Sequence, residues 1–350
     1  MELDEEIKRI GERVPKDQYI DYVANKDTIE KILKLRNEKN VLILGHNYMH
    51  PLVYSLSAPS ERGDSLALSM RAAKTDKPII LFDGVRFMAE TAKILNPSKK
   101  VLIADLNAGC SLADPFQKED VLVYRKMHPG TPVVTYINSY AEIKAESDYC
   151  CTSANALKVV KHATKEFGSN KVIFFPDSYM GKNIQNELDK INEKIEIIYP
   201  GKNGGKTGTC EVHDKFTGEA IKEIRKDYSM EKGDPKTAVL SHWECNEEVL
   251  RESDFYGSTS EMGAYIKNHP QLKKVYLATE CEMSANLSAE FPEIEFVKTC
   301  SQFCRHMGRI TLGKILNSLE NEVYEINVEP ETAAKAKKSI DRMLEIGRNE

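Results

Sequence analysis

The sequence predicts an α/β protein of three similar three-layer α/β/α units with parallel sheets, arranged around a pseudo-threefold axis with an active site in the central cavity. Three observations predict this. Short apolar runs of strand length alternate with helical patterns, the order of parallel βαβ construction. The same order of elements returns three times at near-equal spacing, the mark of internal repetition. Each round also closes on a cysteine in a turn, at Cys110, Cys210 and Cys304.

Residues 1–40 read as amphipathic helices that pack on the first unit, with Asp27-Thr28 as a cap before IEKILKLRNEKN. The first unit, 41–117, has strands at VLILGHNY (41–48), PIILFDG (78–84) and VLIADLNAG (101–109), with SLALSMRAAKT and RFMAETAKIL as the helices between them. The second, 118–209, has PVVTYIN (132–138), KVIFFPD (171–177) and IEIIYPG (195–201). The third, 210–306, has TAVLSHWE (237–244), KKVYLATE (273–280) and IEFVKTC (294–300). The steps His46 to Pro78, Asn138 to Lys171 and His242 to Lys274 are 32, 33 and 32 residues. Those from Asp83 to Val101, Asp177 to Ile195 and Glu280 to Ile294 are 18, 18 and 14. The tail, 307–350, reads as two helices around Pro330 and is expected to pack back on the first unit.

Composition narrows the function. With 350 residues, 29% of them charged, and a net charge of -5 without a long basic block, the chain carries no electrostatic footprint for nucleic acid. The N-terminal MELDEEIKRIGERV lacks the apolar core of a secretory signal, and no apolar run reaches the roughly 20 residues that span a bilayer. A cytoplasmic protein without nucleic-acid or membrane partners is expected. Eight cysteines in that setting read as metal ligation or catalysis before a disulfide framework. No CxxC pair exists, so a zinc ribbon is excluded and any cluster draws its ligands from distant segments. Cys110, Cys210 and Cys304 hold equivalent places in the repeats. Three thiolates on a [4Fe-4S] cluster leave one iron free to act as a Lewis acid. Cys150, Cys151, Cys245, Cys281 and Cys300 read as ordinary buried cysteines.

Each first strand ends in polar residues spaced i, i+2, so both lie on one face: His46 and Tyr48, Tyr136 and Asn138, His242 and Glu244. His and Glu suit proton transfer near neutrality; Tyr and Asn suit holding a polar ligand. Hydroxyl clusters precede helical patterns at Ser65, at Ser153, and at Ser258 and Thr259. There, free backbone N–H groups favour phosphate or carboxylate, although any one such serine is explained by capping alone. Other histidines (His50, His128, His162, His213, His269 and His306) read as surface or core, His213 standing nearest to suspicion beside Cys210.

The stretches GDSLALS, FMAETAKILNP, LNAGCSLAD, TYINS, CCTSANA, CEVH, GSTS and CRHMGRITL, in this order from about Val41 onward, resemble quinolinate synthase. The resemblance implies three α/β units around a cavity. It implies one [4Fe-4S] cluster on Cys110, Cys210 and Cys304, its open iron promoting loss of water. It implies condensation of iminoaspartate with dihydroxyacetone phosphate to quinolinate, phosphate and water on the way to NAD. An aspartate-oxidising enzyme or aspartate dehydrogenase is then the source of iminoaspartate. Substrate binding falls on His46, Ser65, Tyr136, Asn138, Ser153, His242, Glu244, Ser258 and Thr259; by the chemistry of the side chains, catalysis is assigned to Glu244, His242, His46 and Tyr48. An iron–sulfur hydro-lyase acting on another small acid is the alternative. The chain departs from the family in Trp243, where HPEC reads HWEC, and in Arg86, where GVHF reads GVRF. The stretch between Tyr48 and Gly63 also looks two residues longer.

Overall fold

The computed structural model describes residues 3–298 and 302–347. It opens with α1 (Leu3–Arg13) and α2 (Tyr19–Glu38). Then come β1 (Val41–His46), α3 (Pro51–Tyr54), β2 (Arg62–Gly63), α4 (Ser65–Lys74), β3 (Ile79–Asp83), α5 (Arg86–Leu95) and β4 (Lys100–Ile103). The second round is α6 (Lys118–Met127), β5 (Val133–Tyr136), α7 (Ala141–Ala145), β6 (Tyr149–Cys151), α8 (Ala156–Phe167), β7 (Lys171–Phe175), α9 (Ser178–Lys190) and β8 (Glu196–Ile198). The third is α10 (Gly218–Asp227), β9 (Thr237–His242), α11 (Glu247–Glu252), β10 (Phe255–Gly257), α12 (Thr259–Asn268), β11 (Lys274–Ala278), α13 (Cys281–Glu290) and β12 (Glu295–Val297). The tail forms α14 (Leu312–Asn321) and α15 (Pro330–Ile346).

Three four-stranded sheets result, with orders β2-β1-β3-β4, β6-β5-β7-β8 and β10-β9-β11-β12, every pair parallel. Helices cover both faces, so the inner strands are continuous apolar runs; β1, β5 and β9 are buried throughout. Each predicted strand has its counterpart. The structure adds an edge strand of two or three residues to each unit (β2, β6, β10), too short to carry a period. Their registers coincide: His46 pairs with Gly63, Tyr136 with Cys151, and His242 with Gly257. The residues two places further on, Ser65, Ser153 and Thr259, are thereby set in equivalent places beside the ends of the first strands.

The tail divides its packing. Helix α14 lies against α2 and β4, as expected, and Tyr324–Ile326 pairs with the outer edge of β4 through Ile103 N–H to the Tyr324 carbonyl (3.2 Å) and Ile326 N–H to the Val101 carbonyl (2.8 Å). An otherwise open sheet edge is covered this way. Helix α15 touches α5 of the first unit but packs chiefly on α7 and β6 of the second, with Ser339 Oγ donating to the Lys144 carbonyl at 2.8 Å. Its amphipathic pattern required an apolar partner but did not name one. Among the described residues, no helix is long and apolar enough to cross a membrane.

Candidate active site

The carboxyl ends of the three sheets open onto one cavity of about 680 Å³. Cys110, Cys210 and Cys304 all line it, together with His46, Tyr48, Ser65, Tyr136, Asn138, Ser153, His242, Glu244 and Thr259. Of the residues expected at a site, only Ser258 is not in its walls. Its hydroxyl accepts the Glu261 N–H at 3.2 Å and the Glu261 carboxylate accepts the Ser258 N–H at 2.7 Å, a reciprocal cap for α12. By the repeat register, Ser258 holds the capping position that Asp64 holds in α4; Asp64 reaches the cavity wall and Ser258 does not.

The cysteines share a local design. Each stands in a turn after its unit's last strand, four residues ahead of Asp114, Asp214 or Gly308. Each sulfur accepts backbone N–H groups from the second and third residues on: Leu112 and Ala113, Val212 and His213, His306 and Met307. Cys110 and Cys210 are withdrawn from water, which pushes their thiols up; Cys304 is pushed up to about 11 for the same reason. Donors aimed at sulfur oppose that cost and favour the thiolate a metal would require. None of the three is in a disulfide. Further hydrogen bonds fix the turns. Asp114 Oδ1 accepts from Cys110 N–H (3.2 Å) and Tyr140 O–H (2.5 Å), and Asp214 Oδ1 accepts from Tyr179 O–H (2.6 Å). Beside Cys210, a Cβ on Gly208 would come within 2.2 Å of the Pro176 carbonyl oxygen, so only glycine fits there.

Glu244 is the electrostatic centre. It is buried, and Oε1 accepts from Tyr136 O–H (2.7 Å) and Asn138 Nδ2 (3.0 Å) across the seam between the second and third units. His213 Nδ1 lies 3.0 Å from Oε2, at ion-pair distance though not aligned as a hydrogen bond. Burial alone would raise this carboxyl; His213, His242 and the Tyr136 hydroxyl outweigh it and hold it well below the usual carboxylate range. On its other side, His213 Nε2 meets Thr279 Oγ1 at 2.9 Å, and that oxygen meets the Tyr48 hydroxyl at 2.5 Å. Glu244, His213, Thr279 and Tyr48 thus form one line of polar groups.

His46 and His242 are built alike. Nδ1 of each accepts the backbone N–H two residues on, from Tyr48 (3.2 Å) and Glu244 (3.3 Å). In the neutral ring, the proton then sits on Nε2. Burial lowers His46 to about 4 and His242 to about 3, so both are neutral at pH 7.

His213 was passed over in the sequence because its partners, Thr279 and Glu244, are distant in the chain; its one local signal was its place three residues after Cys210. Among the described residues, Cys210, His213 and Glu244 bring ligand atoms within 4.8 Å of one another, a set able to hold a metal ion. Cys150, Cys151 and Cys245 are buried and Cys281 is partly buried; Cys300 lies outside the described residues. Both single-residue departures fall outside the cavity wall. Trp243 stands edge-on to Tyr256 at 5.3 Å, and Arg86 pairs with Glu90 at 3.0 Å and lies over Tyr140.

The family model described as quinolinate synthetase A protein matches residues 30–345. Quinolinate synthase 1 of Mesorhizobium japonicum is 45% identical over 318 residues, covering 91% of this chain and 91% of that protein. Quinolinate synthase of Agrobacterium fabrum is 41% identical over 338 residues, covering 97% and 90%, and that of Caulobacter vibrioides is 43% identical over 318, covering 91% and 81%. The chain belongs to the quinolinate synthetase A family.

Proposed function

We infer that this chain condenses iminoaspartate with dihydroxyacetone phosphate to give quinolinate, phosphate and water. The observation that carries the reading is the convergence of three cysteines, two neutral histidines and one ionised glutamate on a single cavity. The sulfur-directed N–H groups fit a [4Fe-4S] cluster held by Cys110, Cys210 and Cys304. Bound there, the cluster supplies a Lewis-acidic iron for loss of water.

The chain's own residues account for the rest. Among the described residues lining the cavity there is no lysine or arginine, so anionic groups are held by neutral donors. Ser65 and Thr259 are the first residues of α4 and α12, and Ser153 lies in the turn before α8. Their hydroxyls, with the free N–H groups of those helix starts, bind phosphate and carboxylate oxygens. His46 and His242 present Nε2–H to carbonyl or carboxylate oxygens. Glu244, aimed by Tyr136 and Asn138, removes a proton from carbon beside the triose carbonyl or the imine. Tyr48, backed by Thr279 and His213, returns a proton to a departing oxygen. Iminoaspartate comes from an enzyme that oxidises aspartate.

The three units are further proposed to surround the cavity about a pseudo-threefold axis. We keep the first boundary at Gln117 and move the other two to Thr217 and Thr311, instead of 209 and 306, because these residues stand at the N-cap positions of the helices that follow the equivalent cysteine turns. The function is tested by supplying both substrates to anaerobically purified protein and assaying quinolinate by mass. A hydro-lyase on another acid would retain iron and sulfide yet form no quinolinate.

A further inference from the structure

A second cavity, of about 850 Å³, lies in the seam between the first and third units. Tyr54, Pro59 and Arg62 wall it on one side, and Ser260, Lys267 and Glu290 on the other. The first three come from the stretch between Tyr48 and Gly63, the part of the chain that departs in length from the family pattern. Thr259 belongs to the walls of both cavities, and its Oγ1 accepts from Asn47 Nδ2 at 2.8 Å.

The seam cavity carries unbalanced positive charge. Arg62 donates from Nη2 to the Ser55 carbonyl (3.0 Å) and its guanidinium lies 4.9 Å from the Tyr54 ring centroid. Its Nε is buried and has no partner, and no ion pair involves it among the described residues. Burial, with Arg13 and Arg9 nearby, lowers this guanidinium to about 10. Lys267 is exposed and has no acidic partner among the described residues. The acid in the wall, Glu290, is already engaged by Arg13 at 3.0 Å. The buried Nε donor left without a partner is costly as it stands; Glu290 offsets the Arg62 charge only in part, being shared with Arg13, and Lys267 at the rim is met by water, so an oxyanion would gain a donor and two cations. The catalytic cavity, by contrast, has no such cation in its described wall.

We propose that the seam cavity is a second anion site that takes a phosphate group between Arg62 and Lys267, next door to the catalytic cavity through Thr259. Phosphate chemistry has two sources here, inorganic phosphate and a small phosphomonoester. The link to turnover rests on the reading above, since that reaction takes in one and releases the other; binding itself does not.

The test is calorimetric titration of the intact protein, kept anaerobic, with inorganic phosphate and separately with glycerol 3-phosphate. The wild type, Arg62→Gln, Lys267→Gln and the double variant are compared, with Ser65→Ala/Ser153→Ala reporting the catalytic cavity. Two equivalents are expected in the wild type, and one in the double variant. Each single variant should weaken one class of site about tenfold, the scale of a lost charge-assisted hydrogen bond. Lys267 is on the surface, so Lys267→Gln keeps the test valid if Arg62→Gln folds poorly. Ser65→Ala/Ser153→Ala should weaken the other class alone. Tighter binding of the monoester marks the site as a station for incoming substrate, and tighter inorganic phosphate marks it for product. A single equivalent in the wild type, or an unchanged isotherm in the double variant, overturns the proposal. Protein that makes no quinolinate but loses one equivalent in the double variant would refute the reaction and leave the seam site standing.

Discussion

Tyr136 donates a 2.7 Å hydrogen bond to Glu244, joining the end of the second unit's first strand to the end of the third unit's. The carboxylate proposed as the base is thus aimed by a neighbouring unit. Glu244→Gln keeps the shape and removes the base; turnover should fall by roughly 10²–10⁴, the usual worth of general acid–base catalysis. Tyr136→Phe should lose about tenfold, because the charge survives with one fewer charge-assisted bond. Rates of quinolinate formation at equal iron content measure both, and a Glu244→Gln variant at wild-type rate would remove Glu244 from the chemistry.

Thr279 stands between His213 and Tyr48, 2.9 Å from one and 2.5 Å from the other. Thr279→Val preserves size and breaks the line of hydrogen bonds. We expect kcat to drop about tenfold with KM little changed, on the scale of a hydrogen bond lost at the reacting group. Thr279→Ser should restore most of it. Equal loss in the serine and valine variants would show that packing, and not the hydroxyl, matters at this position.

The three cavity cysteines should behave as a set. Alanine at Cys110, Cys210 or Cys304 should each abolish the visible absorption and the bound iron of anaerobically purified protein. Cys245→Ala, which removes a buried thiol donating to the Ala278 carbonyl at 3.4 Å, should retain both. Full iron content in any one of the three variants would exclude that cysteine as a ligand.

His46 and His242 make stability depend on pH. Burial lowers them to about 4 and about 3, against about 6.5 in the unfolded chain. Between those values the unfolded state binds more protons, so stability rises with pH there. It is complete above about pH 6.5 and is lost progressively as pH falls toward 4. Thermal unfolding midpoints from pH 7 to 4 should therefore fall less steeply for His46→Gln/His242→Gln than for the wild type. Parallel curves would mean that neither ring is held neutral by the fold.

Much of this was legible in order along the chain. Strands buried on both faces write themselves as apolar runs, and the returning cysteines and strand-end pairs marked the cavity wall. The edge strands were not legible, since two or three residues show no period. They nonetheless set the register that puts Ser65, Ser153 and Thr259 in equivalent places and leaves Ser258 to cap α12. His213 escaped for a different reason. Its role is defined by Glu244, 31 residues on, and Thr279, 66 residues on, and sequence spacing does not report which strand ends meet. The same limit hid the seam cavity, where the stretch carrying Arg62 meets the helix carrying Lys267 from the other end of the chain.

The most direct test of the central claim joins cysteine and chemistry in one experiment. Wild type and Cys110→Ala are purified anaerobically, supplied with iminoaspartate and dihydroxyacetone phosphate, and assayed for quinolinate by mass. Product from the wild type and none from the variant is the predicted result. A wild type retaining iron and sulfide that forms no quinolinate, or a Cys110→Ala protein that forms it undiminished, would contradict the account.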